Sequence, residues 1–158
     1  MKKVSVRPLL WLAWFIPSLA LADLCTEVGI YSNETRRVEL DFVEMPLFTD
    51  INGNPIPPQN QTMGLYSMVL NLPFGFADVK IESYSLIGII TESNPCYAKF
   101  TPTTGLLEIP KILVPTIIPY LHGSPIYGPI VECNATLQQS VLRPETFSLI
   151  QYNCAFSQ

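Results

Sequence analysis

Tryptophan, histidine and charge are the scarce commodities of this 158-residue chain, and each scarcity removes a class of function. Trp11 and Trp14 are its only tryptophans, so beyond Ala22 there is no indole platform on which a sugar could stack. His122 is the single histidine, and the four cysteines nowhere fall at C-x-x-C spacing, which removes the usual zinc sites. Charged residues make up 14 % of the chain. After Ala22 six basic side chains face 13 acidic ones, a net charge of −7. Such a surface repels phosphate backbones, so nucleic acid is not an expected partner. No apolar run is long enough to span a bilayer as a helix; Leu9–Ile16 and Ile112–Leu121 both fall short, and the second contains Pro115 and Pro119. No stretch repeats apolar residues at helical spacing, and 15 scattered prolines would break most helices. At 48 % hydrophobic content the chain is not a disordered one.

What is present begins at the N-terminus, from Met1 to Ala22. Lys2 and Lys3 precede the apolar segment Leu9–Ile16, Pro17 ends it, and Ala20-Leu21-Ala22 offers small residues where a signal peptidase cuts. This predicts an export signal over 1–22 and one β-rich domain over 23–158, in a secreted or periplasmic location, with no transmembrane segment after cleavage. Cys25 is preceded by Leu24 rather than a small residue, which argues against lipidation. In an oxidising compartment Cys25, Cys96, Cys133 and Cys154 are expected as two disulfides. Cys133 and Cys154 both lie on alternating strand patterns, and a hairpin centred on Arg143-Pro144 sets them opposite each other. Cys25–Cys96 follows by elimination.

Seven segments alternate, or run apolar, between Gly, Pro and Asn: Val38–Phe48, Leu65–Leu72, Val79–Thr91, Tyr97–Phe100, Leu106–Val114, Ile130–Leu137 and Thr146–Phe156. Asn52-Gly53 is a hairpin turn signal. Eight or nine short strands of this kind predict an all-β fold, an antiparallel β-sandwich or small barrel. Val43-Glu44-Met45-Pro46 matches Leu107-Glu108-Ile109-Pro110, Leu65-Tyr66 matches Ile126-Tyr127, and Ser85-Leu86-Ile87 matches Ser148-Leu149-Ile150, at similar but unequal offsets. These matches suggest two similar halves, 23–94 and 95–158, sharing one core. The pattern Ala98-x-Phe100, Thr104-Gly105-x-Leu107-x-Ile109-Pro110-x-Ile112, then Tyr127 resembles a β-module of uncharacterised secreted bacterial proteins. The resemblance implies a β fold and transfers no catalytic or binding residue.

Candidate chemistry is thin. His122-Gly123-Ser124 juxtaposes a base and a hydroxyl, but no nucleophile elbow is present and the loop setting favours an ordinary turn. Glu44 and Glu108, matched by the repeat, could act as a hydrolase carboxylate pair; the plainer account is that both face solvent. Asp50-Ile51-Asn52-Gly53-Asn54 begins like a calcium loop but lacks the Gly and Glu of an EF-hand at their required positions. Met63 and Met68 read as core fillers rather than metal ligands. Asn33, Asn60 and Asn134 stand in N-x-T sequons. Ile112, Val114, Ile117, Ile118 and Tyr120 form a candidate contact surface. The expectation is thus a non-enzymatic binding, adhesion or structural module without cofactor or metal, its partner a protein or surface ligand. The alternatives are a carboxylate hydrolase and a small outer-membrane barrel.

Overall fold

The computed structural model describes residue 25 and residues 29–50, 52–57, 61–73, 77–118 and 126–156, the side chains of 118, 126 and 127 excepted. The expected export signal, His122 to Ser124, Tyr120 and Asn60 lie outside the described residues. The described residues form eight strands: β1 (Gly29–Ser32), β2 (Arg37–Pro46), β3 (Met63–Asn71), β4 (Val79–Ile90), β5 (Ala98–Thr101), β6 (Leu106–Ile118), β7 (Ile126–Gln139) and β8 (Thr146–Phe156). Among the described residues there is no helix. The fold is all-β, as the alternation predicts.

All eight strands belong to one sheet, in the order β1-β2-β3-β4-β8-β7-β6-β5. Neighbours along that order are antiparallel. The sheet then closes on itself through two parallel pairings, β1 with β6 (Gly29↔Ile112) and β2 with β5 (Val43↔Ala98). The short strands β1 and β5 therefore share one strip between β2 and β6. β1 covers Arg37–Leu40 of β2, and β5 covers Val43–Glu44. Their starts face each other, and the Cys25–Cys96 disulfide joins the segments that lead into them. The second disulfide, Cys133–Cys154, bridges directly opposed residues of the β7–β8 hairpin.

The hydrogen-bond registers relate the two halves by a two-fold repeat. Ser32↔Arg37 closes the β1–β2 turn as Thr101↔Leu106 closes the β5–β6 turn, which makes Arg37 the counterpart of Leu106. The bulge in β2 between Leu40 and Val43 recurs in β6 between Ile109 and Ile112, in the same correspondence. The bulge at Val69/Leu70 of β3 recurs at Thr136/Leu137 of β7. Structural counterparts of Val43 and Glu44 are therefore Ile112 and Leu113, so the matched tetrapeptides are out of register. Glu44 lies beyond the bulge of its strand and Glu108 before the bulge of its own. Bulges bend and twist a strand, which is what a small closed sheet requires. They also accommodate Pro110, whose missing N–H would break a regular ladder.

Alternation sends Val38, Leu40, Tyr66, Met68, Leu70, Leu107, Ile109 and Leu137 inward, where they form one core with Val79 and Phe147. Each such side chain contributes about 1.5–3 kcal/mol by leaving water. The apolar interior is the reverse of an outer-membrane pore, whose lumen is polar and whose outer wall is apolar. Val79 and Phe147 pair with each other where β4 meets β8. They are two-fold counterparts, so the axis passes between them.

Candidate functional site

β4 and β8 touch only at their first two residues, Val79↔Phe147 and Lys80↔Thr146, and then run off in opposite directions. Beyond the β7–β8 turn, no strand among the described residues pairs with the far side of β4. The space left there is a half-open cavity of about 620 Å³. Its deep end is built from core side chains: Met45, Met68, Phe100, Leu107 and Phe147 are each at least nine-tenths buried. Its outer end is wet. Phe48 and Tyr84 are 43 % and 61 % exposed, and Glu82, Ser83, Pro144 and Glu145 are also exposed or nearly so. A volume of this size with an apolar interior and a few polar groups at the mouth is the ordinary form of a small-molecule site.

The mouth is held by its own hydrogen bonds. Gln139 Nε2 donates to the Pro144 carbonyl at 2.7 Å, and the Thr146 N–H and hydroxyl both donate to the Arg143 carbonyl at 2.8 Å. The Ile81 N–H donates to the Glu145 carbonyl at 2.9 Å, tying the turn to β4. On the β4 side Glu82 forms an ion pair with Arg37. The Tyr84 ring stands 6.1 Å from that of Tyr66. Burial, with the nearby Tyr84 hydroxyl adding to it, holds the Tyr66 phenol above its ordinary range.

The residues singled out from sequence do not converge here. Ile112 is 2 % exposed and belongs to the core, so it is not part of a contact surface; the bulge after Ile109 shifts the β6 alternation and turns Ile112 inward. Val114 is half-buried against the core, and Ile117 is 44 % exposed. Ile118 pairs with Ile126 in the ladder. The apolar residues that do face solvent lie mainly on β4 and β8, among them Leu86, Ile87, Ile89, Ile150 and Phe156.

Glu44 is not solvent-facing. It is 1 % exposed, with one oxygen accepting from the Ser93 hydroxyl at 2.5 Å and the other from the Asn94 N–H at 2.6 Å. Its carboxylate pins the loop before β5. Glu108 is exposed, and Lys99 stands between the two in register, so the backbones are about 10 Å apart. Both Glu44 oxygens are engaged in holding structure rather than offered to a cleft. Asp50 is likewise occupied. Its carboxylate accepts from the Asn52 and Asn54 N–H groups and the Asn54 side-chain amide. These bonds, the Asn54 side-chain amide foremost, lower its pKa. Asn33 donates its side-chain amide to the Pro115 carbonyl at 2.7 Å, whereas Asn134 is exposed on β7. Among the described residues no group of three His, Cys, Asp or Glu could hold a metal ion, and no helix is long and apolar enough to cross a membrane.

No protein-family model, no curated protein and no solved structure matches this chain. The site therefore rests on geometry alone. Sequence reasoning passed over it, although one signal was present. Gln139 follows Ala135 and Leu137 on the inward register of β7, a polar group where the pattern asks for an apolar one.

Proposed function

We propose that the protein is an exported, non-enzymatic binding module that takes up an apolar ligand in the cavity between β4 and the β7–β8 turn. The observation that carries this is the depth of the cavity: it reaches Leu107 and Met68, 0 % and 2 % exposed, from an opening at Tyr84. Two disulfides fit an oxidising compartment, and the signal-like segment 1–22 fits delivery to it. The oxidised chain beginning at Asp23 is titrated with the neutral fluorophore N-phenyl-1-naphthylamine. Saturable one-to-one enhancement is expected, weakened several-fold by Ser83→Trp and by Tyr84→Ala, both at exposed positions. Enhancement that is absent, or indifferent to Ser83→Trp, contradicts the proposal.

A second reading draws on a different observation. From Ser83 to Ile90 and from Thr146 to Gln158 the sequence carries no charge. Among the described residues the β4 and β8 edges beyond their short overlap have no strand partner. Natural sheets usually guard such edges with charge, so these fit pairing with an extended strand of a protein partner. Leu86→Lys with Ile89→Lys would abolish such pairing and leave fluorophore uptake intact.

A further inference from the structure

Glu82, Ser83, Gln139 and Glu145 border the cavity mouth, and by the two-fold repeat all but Ser83, whose counterpart is Gln151, stand where the other half has an apolar residue. Gln139 occupies the position that Leu72 holds in the first half, and Glu82 the position that Ile150 holds in the second. Glu145, counted back from the start of β8, corresponds to Ala77 before β4. Polarity at this opening is thus an addition to the common plan, not a property of every barrel end. It is also one-signed: among the described residues two carboxylates line the cavity and no basic side chain does. Glu82 is neutralised by Arg37. Lys80, on the same strand, pairs instead with Asp78 at 3.8 Å. Glu145 is exposed and forms no ion pair among the described residues. An apolar shaft opening beside an uncompensated carboxylate and an amide is complementary to a molecule with a hydrocarbon tail and a cationic end.

We propose that the ligand is a cationic amphiphile, its tail against Met45, Met68 and Leu107 and its ammonium or guanidinium group at Glu145. This rests on the cavity being a binding site. An exposed charge pair is worth little, so the tail supplies affinity and Glu145 supplies choice.

The test displaces bound N-phenyl-1-naphthylamine from the oxidised chain with decylammonium, decanol or decanoate, below their micellar concentrations and at low salt. Decylammonium is expected to bind about fivefold more tightly than decanoate, with decanol between them, and added salt narrows the gap. Glu145→Gln removes the preference and leaves decanol binding unchanged. Asp41→Asn, which changes the net charge equally at an exposed site away from the cavity, preserves it. Equal affinities, or a preference that survives Glu145→Gln, overturn the cationic class while fluorophore uptake keeps the cavity as a site. Absence of fluorophore uptake overturns both. Sedimentation showing a dimer that takes up fluorophore only on dissociation assigns the cavity to a second copy and overturns the proposal.

Discussion

Residues 29–90 and 98–156 build the same four strands, with a bulge at matching places in β2 and β6 and in β3 and β7, and then fill them differently. The contrast is sharpest at the two ends of the core. Val38, Leu72, Val79 and Ala135 surround a void of about 10 Å³. Their two-fold counterparts, Leu107, Gln139, Phe147 and Met68, line the cavity of about 620 Å³. Backbone plan and side-chain filling are separable: bulges fix where the sheet bends, and the side chains decide which end of the core is filled and which is left open. The β1–β2 turn shows the same separation on a smaller scale. Its left-handed residue is Arg36, with φ of 54°, where the β5–β6 turn uses Gly105, with φ of 66°.

Exchanging residues across the two-fold tests how far that separation extends. The largest expected effect concerns the disulfides, which differ in kind. Cys25–Cys96 spans 71 residues and joins the halves, whereas Cys133–Cys154 spans 21 within one hairpin. Cys25→Ser with Cys96→Ser should lower unfolding free energy in urea by about 4 kcal/mol, and Cys133→Ser with Cys154→Ser by about 3 kcal/mol. Equal losses would mean that the long link does not restrain the unfolded chain more.

Met68→Ala installs the residue of the β7 position and should cost about 2–3 kcal/mol by enlarging the cavity. Fluorophore uptake should persist, since the mouth is untouched. Glu44→Leu copies Leu113, its counterpart on β6. It strands the Asn94 N–H and Ser93 hydroxyl, so about 2 kcal/mol should be lost in thermal or urea melts. The smallest pair concerns the turns. Gly105→Arg should cost about 1 kcal/mol, because a side chain disfavours positive φ and a Cβ there meets Gln138 Nε2 at 2.9 Å. Arg36→Gly should gain about 0.5 kcal/mol, the release of strain exceeding the entropy of glycine.

Much of this architecture is legible in the residues. The alternation Tyr66, Met68, Leu70, Leu72 marks the buried face of β3, and all four are buried. The Cys133–Cys154 bridge follows from hairpin arithmetic, because a turn centre fixes the register of both strands. β1 escapes notice because four residues beginning with Gly29 carry too little pattern. The repeat is visible but slips in register, since the eye follows Glu-x-Pro while the fold keeps bulges and inward positions. The cavity is least legible. It arises where β4 outruns its overlap with β8, a relation between strands far apart in the chain and set by register rather than by any local motif.

Methyl resonances followed during a decylammonium titration show whether a ligand enters one end of the near-symmetric barrel. Met45 and Met68 should shift in saturable fashion while the Ala135 methyl, two-fold counterpart of Met68, stays fixed. Shifts of Ala135 equal to those of Met68, or shifts confined to Leu86 and Ile89 on the exposed edge, would contradict it.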